Sequence, residues 1–167
     1  MKEEVQVTPE ELYYRGKCMQ AKFIDYAYIA AMNDIQQNYT LQEQRSLETL
    51  EEKELIEEDF SGEIDIPDEV RQLFEPVFFG RKESRLDNGE VYRFHILGNR
   101  LTMSRMESGQ IWFSAASVDD LSELLRGTVN IKCSDVERGV FEKTFSGEQL
   151  KQPVQIEEAI KILKGDV

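Results

Sequence analysis

Apolar positions in the first half of the chain recur at helical spacing, and in the second half they alternate, so a helical part is expected before a sheet. Val5 and Val7 flank Gln6 as a short strand. Thr8-Pro9-Glu10-Glu11 is a helix start, with Thr8 as the cap, Pro9 in the first turn and Glu11 completing a capping box. Gly16 is expected to weaken or end this helix. A longer helix is predicted over 21–37, where Phe23, Ala27, Ala31 and Ile35 form one stripe. Thr40 and Glu43 make a second capping box, so a third helix starts at Leu41 with Leu47 and Leu50 on its apolar side. Leu55 and Ile56 then turn inward, Asp59, Ser61 and Gly62 supply turn chemistry, and Ile64 and Ile66 alternate as a short strand. Leu50 is expected at the junction with Leu55 and Ile64. Pro67 and Asp68 open another helix whose Val70, Leu73 and Phe74 share a face. Helix, small hairpin, helix is a winged-helix-like arrangement.

Beyond Gly80 the period changes. Residues 81–86 read as a polar edge strand, and Asp87-Asn88-Gly89 is a hairpin turn. Val91 to Leu97 alternates, with Tyr92, Phe94 and Ile96 on one side and Arg93 and His95 on the other. Strands over 101–106 and 111–115 follow, separated by turns at Gly98-Asn99 and Ser108-Gly109, which makes an antiparallel meander. Ser117 starts a helix with Val118, Leu121, Leu124 and Leu125 inward, closed by Gly127. Val129, Ile131 and Cys133 alternate in a strand paired with 140–145. Ile156, Ala159, Ile160 and Leu163 mark a terminal helix. The expected fold is a single α+β domain over 1–167: N-terminal helices with the winged-helix-like hairpin (1–80), then an antiparallel sheet with two helices (81–167) that cover one face.

Charge removes the function that a winged-helix pattern usually suggests. Residues 41–75 hold thirteen acidic and three basic side chains, so this segment carries −10 of the chain's net −13. Nucleic-acid affinity rests on neutralising phosphates with Lys and Arg, and this surface repels a duplex. It reads as a solvating face or as a surface for a basic protein partner. No apolar run approaches the roughly 18 residues that span a membrane, and MKEEVQVTPEE has no signal-peptide core, so a cytoplasmic location is the expectation. Cys18 and Cys133 make no metal pattern and read as buried thiols.

His95 is the sole histidine, sits mid-strand without a nucleophile context, and reads as a structural or surface residue. No glycine-rich phosphate loop is present, and the carboxylates lack the spacing of a metal site or an acid–base pair. No catalytic residue, cofactor or metal is expected, and the chain does not read as an enzyme. Phe78 and Phe79 beside Pro76, and Trp112 and Phe113 in a strand, fit either a core or a partner-binding patch.

The order of elements resembles a known family. A helix ends in LETLEEKELIEEDFSGEIDIP (47–67), LFEPVFF follows (73–79), and a meander leads to SVDDLSELLRG (117–127). This pattern, over about residues 25–130, is similar to the N-terminal half of EspG-type chaperones of type VII (ESX) secretion. Such proteins hold secreted helical hairpins in the cytosol before export. The resemblance implies a non-enzymatic chaperone or adaptor that binds a helical, WXG- or LXG-like protein partner. Family members are longer, with two related α+β halves, so no binding residue is carried over. A chain with one half implies a homodimer, with contacts expected at Ile156, Ile160 and Leu163 or at the strands over 129–133 and 140–145. The alternatives are a winged-helix-like regulator that binds protein and not DNA, and a small enzyme with an unrecognised site.

Overall fold

The computed structural model describes residues 4–19, 46, 48–58 and 64–166, with the side chains of 17, 18, 58, 64 and 65 left aside. It is an α+β fold built on one antiparallel sheet. The elements are β1 (Val5–Val7), α1 (Pro9–Cys18), a helical stretch over 48–52, β2 (Glu57–Glu58), β3 (Ile64–Asp65), α2 (Asp68–Phe79), β4 (Lys82–Asp87), β5 (Val91–Leu97), β6 (Arg100–Glu107), β7 (Gln110–Ala115), α3 (Val118–Leu124), β8 (Val129–Asp135), β9 (Gly139–Phe145) and α4 (Pro153–Leu163). The seven-stranded sheet runs β1-β7-β6-β5-β4-β8-β9, and β2 pairs with β3 as a separate hairpin. The meander from β4 to β7 is sequential. The chain then returns across the sheet, and β8 lies against β4.

Two local expectations fail for one reason, which is that packing overrides propensity. The segment expected at an edge, β4, is central between β5 and β8. Its polar residues Glu83, Arg85 and Asp87 share the face opposite buried Ser84 and Leu86, so half of the strand is core. Helix α1 continues through Gly16 to Cys18 because Leu12, Tyr14 and Arg15 are all buried along it. Its capping box is formed: Thr8 N donates to Glu11 Oε1 at 2.9 Å and Glu11 N donates to Thr8 Oγ1 at 3.1 Å. A capping box between Ser117 and Asp120, not named from the sequence, closes the start of α3. Val118 is exposed, against expectation, while Leu121 and Leu125 are buried. The helix expected over 21–37 and the start at Leu41 lie outside the described residues.

Helices cover both faces of the sheet, not the single face expected. Along each strand alternate residues point to opposite sides. Val7, Ile111 and Phe113 face α1 and α2, and with Leu12, Leu50, Leu55, Ile56, Ile66, Phe74, Val77 and Phe78 they form the first core. Leu86, Phe94, Val129, Ile131, Cys133 and Phe145 face the other way, against Leu121, Leu150, Ala159, Ile162 and Leu163. The N-terminal helices therefore cover the β1-side half of one face, and α3 and α4 cover the β9-side half of the other.

The acidic segment is tied to the N-terminal strand and helix by Lys53 and by Arg15. Buried Glu11 accepts from Lys53 Nζ at 2.8 Å, and Lys53 also donates to the Gln6 carbonyl at 3.1 Å. The guanidinium of Arg15, fully buried, lies 5.0 Å from the centre of the Phe74 ring and donates through Nη1 to the Leu55 carbonyl. Leu55 and Ile56 are buried as expected.

Candidate protein-binding surfaces

Helix α2 forms one wall of a hollow at the end of the sheet. Pro67 at its start presets the chain direction, and Asp68 and Glu69 in the first turn complement the helix dipole. Phe74, Val77 and Phe78 pack into the core, and the helix carries Pro76 without breaking before Gly80. Thr102 Oγ1 donates to the Leu73 carbonyl at 2.6 Å, which pins the middle of α2 above β6. Arg100 and Glu75 pair at 3.1 Å across the rim. Between the N-terminal half of α2 and the sheet end lies a groove of about 630 Å³. Its apolar lining comes from Val5, Val70, Leu73, Leu101, Ala115 and Ala116, and Glu69 and Arg100 stand at its edge. This size and make-up suit apolar anchors flanked by a polar rim.

The residues singled out from sequence do not form one patch. Phe78 and Phe113 are fully buried, so neither faces a partner; their rings are part of the first core, where Phe74 sits 5.8 Å from Phe78 and 5.0 Å from Phe113. Phe79 is half-buried against that core. Trp112 is half-buried on the opposite face of the sheet, with the Arg105 guanidinium 5.2 Å from its ring centre. Among the expected dimer contacts, Leu163 is fully buried in the second core, and its carbonyl accepts from Ser84 Oγ at 2.6 Å. Ile156 and Ile160 are half-buried against the same core. Leu163, with Ala159 and Ile162, lies at the centre of the α4 face and completes the chain's own interior, and Ile156 and Ile160 flank it.

His95 is buried on the α2 side of the sheet, where its Nε2 shares a hydrogen bond of 3.0 Å with Ser104 Oγ and its ring lies 6.4 Å from Phe113. Its strand partners explain the burial: Thr102 is directly opposite His95 and Phe113 is opposite Ser104. Cys133 is buried in the second core, and burial raises its thiol pKa against the opposing effect of Lys82. Among the described residues no set of three His, Cys, Asp or Glu side chains is placed to hold a metal ion. No helix among them is long and apolar enough to cross a membrane.

The groove had no local signature in the sequence. Its wall residues come from four separate stretches, and Ala115 and Ala116 look unremarkable until the strand order brings them beside Leu101 and Val5. No protein-family model and no curated protein sequence matches the chain.

Proposed function

We propose that the chain is a non-enzymatic adaptor or chaperone that holds a helical protein partner in the groove beside α2. The observation that carries this reading is the groove itself: an apolar floor, two charged rim residues, and a wall made by a helix that is fastened to the sheet at Thr102. A partner helix presents anchors at i, i+3/i+4 and i+7, and such a row fits along a helix–sheet crevice. The acidic segment, where Glu48, Glu51 and Glu52 cluster, supplies a field that attracts a basic partner and speeds encounter. The resemblance to EspG-type chaperones makes the partner a secreted helical hairpin of a type VII-like system.

The test is calorimetric titration of the purified chain with helical-hairpin proteins encoded beside its gene. Leu73→Glu places a charge in the helical wall of the groove and should weaken binding at least tenfold, about 1.4 kcal/mol. Val154→Glu, at an exposed position on α4, should leave it unchanged. Circular dichroism establishes that both variants fold. Equal affinity of wild type and a folded Leu73→Glu chain would remove the groove as the binding site.

A further inference from the structure

The two edges of the sheet are protected very differently. Edge β1 is three residues long, and its Val7 is fully buried. A short edge offers few free backbone groups to another chain. Edge β9 is seven residues long and pairs with β8 without a bulge from Gly139 to Phe145. Its first four residues are all exposed, and Val140 (64% exposed) and Phe141 (41%) stand next to Val136 (59%) of the preceding turn. Three of the seven large exposed apolar side chains among the described residues are thus gathered at one hairpin.

Charged side chains, Lys above all, are the usual guard of such an edge. Here the guard is drawn inward. Lys143 pairs with Glu158 of α4 at 2.7 Å and lies 5.0 Å from the Phe145 ring centre. Glu142 lies opposite Lys132, and Thr144 accepts from Asn130 Nδ2 at 2.9 Å. Among the described residues no lysine stands over the backbone edge from Gly139 to Glu142.

We propose that β9 pairs antiparallel with β9 of a second copy, about a two-fold axis through Phe141. An axis normal to the sheet makes one residue oppose itself, and the sequence of β9 selects which one. Centred on Glu142, the pairing would set two carboxylates face to face, which is unfavourable. Centred on Val140, it would run off the strand into the turn, because Arg138 would have to oppose Glu142. Centred on Phe141, five residues of each strand pair: Phe141 with itself, Val140 with Glu142, and Gly139 with Lys143. No like charges meet, and the aromatic pair takes the centre. Beside Phe141 a hollow of about 240 Å³, walled by Cys133, Arg138 and Gly165, gives its ring and that of the second copy room to settle. One strand pairing buries far less than the roughly 1,200 Å² of a standard interface, so the dimer should be weak, with a dissociation constant of about 10–100 μM.

Sedimentation equilibrium of the full chain over about 5–500 μM should show the average mass rising from 19.4 kDa toward twice that value and no further. Val140→Glu and Val140→Lys test the register at an exposed position, where both should fold. Val140→Glu opposes Glu142 of the second copy at two symmetry-related places and should raise the dissociation constant roughly tenfold. Val140→Lys meets the same Glu142 and should dimerise as tightly as wild type or more so. A mass of 19.4 kDa at every concentration overturns the dimer. Growth beyond the dimer overturns the two-fold closure. Equal loss in both variants, or no loss in Val140→Glu, overturns the pairing centred on Phe141. The chain is measured alone, so the outcome is independent of the helical partner proposed for the groove.

Discussion

Phe74→Ala is the sharpest probe of how the N-terminal helices are held to the sheet. The ring of Phe74 is fully buried on the inner face of α2. It lies 5.0 Å from Phe113 of β7, is stacked 5.8 Å from Phe78, and is covered by the Arg15 guanidinium at 5.0 Å. Truncating a buried Phe costs about 3–5 kcal/mol through lost transfer energy and the cavity left behind. The ring contacts place this site at the upper end, since an aromatic pair contributes about 0.5–1.5 kcal/mol beyond area and a desolvated cation over a ring about 2. We expect about 4–5 kcal/mol for Phe74→Ala. Phe74→Leu keeps most of the apolar volume and loses the ring contacts, and should cost about 2–3 kcal/mol. A domain of this kind has about 5–15 kcal/mol in all, so the alanine variant should be close to its folding limit. Equilibrium urea unfolding followed by circular dichroism measures both. A loss under about 2 kcal/mol for Phe74→Ala would mean that α2 does not pack this face on the sheet. A loss for Phe74→Leu as large as for Phe74→Ala would show that the ring-versus-volume division is wrong.

Four further outcomes follow from single features. Leu50→Ala, at a fully buried position in the first core, should cost about 2–5 kcal/mol in the same assay, and a loss below about 1 kcal/mol would mean the residue is exposed. Gly80→Ala should destabilise by about 2 kcal/mol or more although its φ of −67° is ordinary, because an added Cβ would lie 2.4 Å from the backbone oxygens of both Ile96 and Pro76; an unchanged urea midpoint refutes this close approach. Cys133, whose thiol pKa burial raises above its ordinary 9.0, should alkylate only through unfolding, and its contribution to stability should be intact below pH 9 and fall as pH rises beyond that; mass-spectrometric labelling as fast in buffer as in urea would refute its burial. Fluorescence anisotropy should detect no duplex DNA binding at physiological salt, as expected for a net charge of −13, and micromolar salt-sensitive binding would overturn that expectation.

Much of the fold was legible because local signals were strong and agreed with packing. The Thr8–Glu11 capping box formed, α3 starts after Ser117 as read, and the hairpin turns at 88–89, 98–99 and 108–109 lie where the sequence puts them. Tyr92, Phe94 and Ile96 are all buried at alternate positions as their spacing requires, and Tyr92 and Phe94 join the second core. What was not legible depended on partners distant in sequence. The central place of β4 is set by β8, which follows some forty residues later, and polar Arg85 and Glu83 gave it the look of an edge. His95 is buried because Ser104 and Phe113 are its neighbours on the sheet. Phe78 and Phe113 look the same in sequence as a partner-binding patch, since an aromatic on a core face and one on a surface differ only in what lies across from them. The groove was invisible for the same reason, because strand order alone assembles its walls.

The division of helices between the two faces has a consequence for how the proposed surfaces work together. Because α1 and α2 cover only the β1 side of one face, their cover ends at the groove, over β6, β7 and β1. Because α3 and α4 cover the β9 side of the other face, Lys143 is held by α4 and the β9 edge stays open. From β6 to β9 the sheet crosses four strand spacings, about 19 Å. A partner seated in the groove therefore does not obstruct pairing at β9, and a dimer displays two grooves at the two far ends of a continuous sheet. Each groove alone is small, and a single helix held there would leave quickly. A partner that offers two helical hairpins, or one that is itself paired, would engage both, and its second contact would form at an effective concentration set by the rigid sheet. On this argument the weak dimer and the modest groove are matched to each other. Val140→Glu should then weaken binding of a paired hairpin partner well beyond its effect on a single hairpin, and an equal effect on both would separate the two surfaces functionally.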